Sequence, residues 1–482
     1  MNQIFRVNLL NPSSQLLNYS LSNGILKSNS LSTIANSKFQ FSSITSSPKT
    51  HLLNNRISLL SSPKSHLSNY YNNNSQSILI SNVNTRFKYT NYTTTTNARV
   101  NSEEKKQDNN NEDDKDPQPT DGEKAVAKWL FFTCGLVGLM IVVGGVTRLT
   151  ESGLSITEWK PIVGSVPPLN QQQWEEEFEK YKQFPEYKRL NMGMTLEEFK
   201  KIYFWEFTHR LFGRVIGVVF AVPFIYYIRK GYINKQLGMK LSAIFALGGA
   251  QGALGWYMVK SGLDEKLIVG DVPRVSQYRL AAHLGSAFVI FGSLYWVGSG
   301  LMRPGISKNL AERLRNVSAQ LQRQRASIRM WSPIVAGMVF LTAMSGAFVA
   351  GLDAGLIYNT FPLMGGQWVP EDIINPKIQP RYLNCFENDV TVQFQHRVLA
   401  ISTYSSILGL TALVYRGKSG LSPRAVKACK HLAIMATVQV ALGISTLLTF
   451  VPVSLGAAHQ TGSLAVISAS LWLLRELKKL PK

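Results

Sequence analysis

A chain of 482 residues with a formal charge of +22 and 45% apolar content has room for several domains, but a mean hydropathy of −0.01 averages a polar first quarter with an apolar remainder. The charge alone would suit a nucleic-acid binder; here Lys and Arg lie in a leader and in short clusters between apolar runs, the pattern of a membrane protein, and nucleic acid is excluded as a partner. Three scattered cysteines, Cys134, Cys385 and Cys429, exclude a disulfide framework and a thiolate zinc site.

Residues 1–102 contain nine Lys or Arg and no Asp or Glu among many Ser, Asn and Thr, the composition of a mitochondrial transit peptide with low-complexity sequence behind it. Residues 103–124 form a charged linker too poor in apolar side chains to order itself. Since about 20 apolar residues cross a bilayer as a helix, eight spans are predicted near 127–147, 203–228, 241–259, 276–299, 332–352, 391–415, 429–450 and 456–476. Connections on one side carry the basic clusters: Arg229 to Lys240, the loop 301–331, Arg416 to Lys427, and the tail 477–482. Those on the other carry acids such as Glu175 to Glu177, Glu371 and Asp372. The positive-inside bias then puts both termini in the matrix of the inner mitochondrial membrane.

The two halves echo each other. Gly144 to Leu154, GGVTRLTESGL, resembles Gly346 to Leu356, GAFVAGLDAGL, and Trp205-Glu-Phe-Thr-His-Arg210 returns as Val392-Gln-Phe-Gln-His-Arg397. His283 and His459 follow 74 and 63 residues after His209 and His396, each again opening an apolar run. The expected fold is therefore all-α integral membrane, eight transmembrane helices as two duplicated four-helix bundles, residues 125–300 and 332–476. Parallel repeats of four spans place all four histidines at the rim opposite the basic loops.

A histidine within a span needs an interior partner and is a functional residue by default. One from the second span and one from the fourth, at a common depth, can grip a flat macrocycle through both axial positions of its iron; zinc or copper would want three or four converging ligands. Glu206, three residues before His209 on the same helix face, is placed to accept or deliver a proton, or simply to pair with Arg210 at i,i+4; the second half has Gln393 there. Acid against amide suggests one reactive and one inert site. Arg210, Arg279 and Arg397 at the same rim could bind haem propionates or snorkel to headgroups. Arg214 has no assignment.

These motifs, Glu206-Phe-Thr-His209-Arg210, Arg279-Leu-Ala-Ala-His283, Gln393-Phe-Gln-His396-Arg397 and Ala458-His459-Gln460, in that order over residues 125–476, resemble the haem A synthase family. The resemblance implies an oxidase that converts the C8 methyl of haem O into the formyl group of haem A for cytochrome c oxidase. It implies that His209 and His283 hold the substrate haem O, that Glu206 is catalytic, and that His396 and His459 hold a resident haem B. It also implies haem O synthase and a ferredoxin-type electron donor as partners, the bilayer as surroundings, and leaves a homo-oligomer open. Bacterial members often carry a cysteine pair in the first outer loop; residues 148–202 have none, in keeping with a mitochondrial member. Two other readings of the residues are a dihaem electron-transfer cytochrome and a transporter whose histidines relay protons.

Overall fold

The computed structural model describes residues 117–160, 164, 166–268, 272–303 and 305–478. The leader expected over 1–102, and the linker up to residue 116, lie outside the described residues.

Where the linker ends, Thr120 and Glu123 satisfy each other's backbone in a capping box and start α1, Asp121–Leu149. A segment with two short helices follows, α2 Gln171–Lys182 and α3 Pro185–Arg189. A second capping box, Thr195 with Glu198, opens α4, Leu196–Arg229. The next helices are α5 Lys235–Leu263, α6 Gln277–Met302 and α7 Lys308–Arg315. The second half contributes α8 Ala319–Gly351, the single turn α9 Asn384–Glu387, α10 Asp389–Arg416, α11 Pro423–Leu448 and α12 Val453–Glu476. Among the described residues the only β pairing is an isolated bridge between Met364 and Gln367.

Seven helices, α1, α4, α5, α6, α8, α10 and α11, are long and apolar enough to cross a membrane. The described residues fold almost wholly as helices, and the protein is multi-pass. The expected eighth span is also a helix, α12, but it is not one of those seven. His459, Gln460, Thr461, Ser463 and Ser468 dilute its hydropathy, and α1, α6, α8 and α11 surround it, so protein covers much of what lipid would otherwise touch. Helix starts also lie earlier than the sequence-based ones: α1 begins at Asp121, inside the expected linker, α5 at Lys235 and α11 at Pro423. α4 starts at Leu196 and α8 at Ala319 rather than near 203 and 332, because Thr195 and Ser318 cap them there and the polar turns that follow remain helical.

α1, α6, α8 and α12 pack on one another in the middle; α4 and α5 flank them on one side, α10 and α11 on the other. Lipid tails are as apolar as Leu, so close approach and buried hydrogen bonds hold such helices together. Gly138 of α1 lies against Phe291 of α6, Trp129 Nε1 donates to the Val219 carbonyl of α4 at 3.0 Å, and Thr342 and Thr403 link α8 to α10 at 2.8 Å. Outward faces remain apolar at helical spacing, as at Val215, Val218, Val222 and Ile225 of α4.

The segment between α1 and α4 has a small core of its own. Phe178 and Tyr181 of α2 pack with Phe199 and Tyr203 of α4, and Ile156, Trp174 and Tyr187 close around them. This cap seats the loop 152–160 on the N-terminal end of α4.

Candidate functional site

The four histidines lie in the N-terminal halves of α4, α6, α10 and α12, and each ring rests against a glycine of a neighbouring helix. A Cβ on Gly144 of α1 would sit 3.1 Å from His209 Nε2, and one on Gly346 of α8 would sit 3.2 Å from His396 Cε1. Likewise Gly255 of α5 meets His283 Cε1 at 3.0 Å and Gly443 of α11 meets His459 Cε1 at 2.7 Å. A side chain at any of these positions would push the imidazole away from the helix backbone. By the repeat, His209 of α4 goes with His283 of α6, and His396 of α10 with His459 of α12.

The carbonyl of the second histidine in each pair is tied down from the third helix. Gln251 Nε2 donates to His283 O at 2.8 Å and Gln439 Nε2 to His459 O at 2.9 Å. Sequence reasoning missed both glutamines, although Gln-x-Ala-Leu-Gly stands at 251–255 and again at 439–443 and carries the facing glycine as its last residue. The Nδ1 atoms of His283 and His459 are buried with no partner from the chain, which a buried polar atom rarely tolerates. Among the described residues no three His, Cys, Asp or Glu converge on a point. A planar group liganded from both sides by one imidazole each fits such pairs.

Glu206 is 3% exposed. Its Oε2 accepts from Ser155 Oγ at 2.7 Å and from the Ile156 amide at 2.8 Å, and its Oε1 accepts from Arg210 Nη2 at 2.6 Å. The i,i+4 pairing with Arg210 is thus present, but within a wider seat. Arg210 also donates to the carbonyls of Ile156 at 2.9 Å and Glu158 at 3.0 Å. In the second half Arg397 donates to Tyr358 O and Thr360 O, both at 2.7 Å, and Gln393 Nε2 donates to Tyr358 O at 3.2 Å. With Leu154 set against Leu356, Ile156 matches Tyr358 and Glu158 matches Thr360, so the two arginines hold the same points of the repeated loop. Both arginines are therefore bonded to loop carbonyls. Arg279 donates to Tyr257 O at 2.7 Å with its guanidinium 3.6 Å from the centre of the Tyr257 ring, and Arg214 donates to Lys160 O at 3.0 Å.

The turn after the first helix of each half is also shared: Glu151 and Asp353 both take left-handed backbone, φ 51° and 55°. Only Asp353 is used as a clamp. It accepts from Arg148 of α1 at 2.7 Å and from Arg274, before α6, at 3.1 Å, joining the halves. A cleft of about 460 Å³ opens beside Arg210, lined by Glu158, Trp159, Trp256, Lys260 and Asp264, with Trp159 stacked on Trp256 at 5.3 Å.

A second buried carboxyl lies in the cap. Glu186 of α3 is 4% exposed and accepts from Tyr181 Oη at 2.9 Å, while Asn191 Nδ2 donates to the same Oη at 2.7 Å. Burial pushes the Glu186 carboxyl up to about 8, and the neighbouring charges of Glu206 and Glu151 push the same way. Burial likewise raises the Tyr181 phenol above its ordinary range.

A family model described as cytochrome oxidase assembly protein, COX15-CtaA, matches residues 127–471. The chain is 49% identical over 367 residues to the protein named heme A synthase of Nitrosospira multiformis, covering 75% of this chain and 97% of that one. It is 47% identical over 361 residues to heme A synthase COX15 of Homo sapiens, covering 75% and 84% of the two chains. Against heme A synthase COX15 of Arabidopsis thaliana the identity is 49% over 358 residues, 74% of this chain and 75% of the other.

Proposed function

The chain belongs to the COX15-CtaA family of cytochrome oxidase assembly proteins, and from that membership we propose how its two halves divide the work. The activity is that of a haem A synthase: an oxidoreductase that turns a methyl group of haem O into the formyl group of haem A. α1, α4, α5 and α6 make one four-helix module; α8, α10, α11 and α12 repeat it. Support for the repeat comes from the matched contacts at Gly144 and Gly346, Gln251 and Gln439, and Arg210 and Arg397.

Haem O is held in the first module between His209 and His283. In the second module His396 and His459 would hold a resident haem B, which would supply one-electron transfer. As a net half-reaction, converting a methyl to a formyl group takes up the oxygen of one water and releases four protons and four electrons, so a proton acceptor must stand close by. In the first module that group is Glu206. Its carboxylate is shut away from water and aimed by Ser155, Ile156 and Arg210. Gln393 occupies the matching place in the second module and cannot accept a proton, so that module holds its haem without transforming it. The observation that carries this reading is the contrast of Glu206 with Gln393, each three residues before its histidine, in two modules whose four histidines all rest against a facing glycine.

The basic connections lie in the matrix together with both termini, and the histidine end faces the intermembrane space. Haem O synthase upstream and a ferredoxin-type donor in the matrix are the partners this placement suits. The test is Glu206→Gln in the full-length protein: total haem bound should stay near the wild-type amount while haem A disappears from the extract. Wild-type haem A in that variant would refute the role of Glu206.

A further inference from the structure

The two modules differ at a contact made on a histidine ring. Ser345 of α8 lies 2.7 Å from His396 Nδ1. With the serine hydroxyl giving its single hydrogen to the Thr342 carbonyl at 2.8 Å, its oxygen accepts from the imidazole in the tautomer that carries Nδ1–H. That Nδ1–H tautomer leaves the lone pair of Nε2 free for a metal. By the register that sets Gly144 against Gly346, the residue matching Ser345 is Val143, whose side chain can accept nothing. The His209 ring is also turned differently: Nε2 and Cδ2 face Gly144, whereas Cε1 faces Gly346 in the other module.

A ligand histidine whose second nitrogen donates to a fixed acceptor is oriented in advance and is a stronger electron donor to the metal; losing that acceptor commonly weakens metal binding by about 10- to 100-fold. We propose that Ser345 is a positioning residue that makes the haem of the second module a permanent one, and that Val143, in the same place of the first module, leaves its haem exchangeable. This rests on the assignment of the histidine pairs to haem given above. A substrate site must release its product, whereas a relay site must never lose its haem. One hydroxyl, present in one copy of the repeat and missing from the other, separates the two demands.

The experiment uses the full-length chain, expressed with an adequate supply of haem O and purified in mild detergent. Haem per protein is measured by pyridine haemochrome, haem type by chromatography, and the midpoint potential of the resident haem by redox titration. Ser345→Ala should retain haem B about 10-fold less well or worse through purification, and what remains should titrate at a more positive potential, since a weaker donor ligand favours the ferrous state. Val143→Ser should raise the amount of haem O plus haem A that copurifies. Unchanged haem B content and potential in Ser345→Ala would overturn the proposal, as would unchanged haem O plus haem A in Val143→Ser, which decides alone should Ser345→Ala not accumulate. His396→Leu serves as the control. If that variant keeps its full haem B, the histidine assignment itself is wrong; if it loses haem B while both other variants match wild type, only the role of Ser345 and Val143 falls.

Discussion

Replacing Glu186 with glutamine should flatten the pH dependence of the cap. In the folded cap the carboxyl titrates near 8 rather than at its ordinary 4.5, with burial as the main cause. Between those two values the unfolded cap has an ionised carboxylate and the folded cap a neutral one, so folding takes up a proton. The stability from this group is fully present below pH 4.5, falls as pH rises, and is lost once pH passes about 8. One proton corresponds to about 1.4 kcal/mol per pH unit, and the whole window to a loss on the order of 3 to 5 kcal/mol. Glutamine mimics the neutral acid, can still accept from Tyr181, and does not titrate. Thermal melting and limited proteolysis of residues 166–195, run from pH 5 to pH 9 in detergent, compare the slopes. Glu186→Gln should lose about one proton of pH dependence and should resist heat and protease better than wild type at pH 8. Equal slopes in the two proteins would refute the argument that a buried neutral carboxyl holds this cap.

Two further substitutions probe the frame. Gly443→Ala places a methyl 2.7 Å from His459 Cε1, against 3.2 Å for Gly346→Ala at His396, so Gly443→Ala should lose more bound haem than Gly346→Ala, read as haemochrome per protein. Asp353→Asn keeps a residue that tolerates φ near 55° but removes the charge shared by Arg148 and Arg274; a loss of about 1 to 3 kcal/mol should appear as a lower melting temperature.

The histidine set was legible in the sequence because a polar ring at the mouth of an apolar run breaks a pattern, and the break occurs four times. The i,i+4 pair of Glu206 and Arg210 was legible for a similar reason: helical spacing alone brings them together. The partners of those residues were not. Arg210 and Arg397 donate to backbone carbonyls, which leave no mark on residue identity. Gly255 precedes His283 by 28 residues but Gly443 precedes His459 by only 16, since the intervening loops differ in length, so the shared contact has no common spacing to detect. Hydropathy also misjudged helix starts at Leu196 and Ala319, where Thr195 and Ser318 decide. The same measure favours helices that face lipid; α12, enclosed by four others, is under no such demand.

The most direct measurement is chromatographic haem analysis of purified His209→Leu beside His396→Leu and His459→Leu. If each module grips its own haem, the last two variants lose haem B while His209→Leu keeps it and makes no haem A. Loss of haem B from His209→Leu, with the second-module variants spared, would contradict the assignment of the two sites.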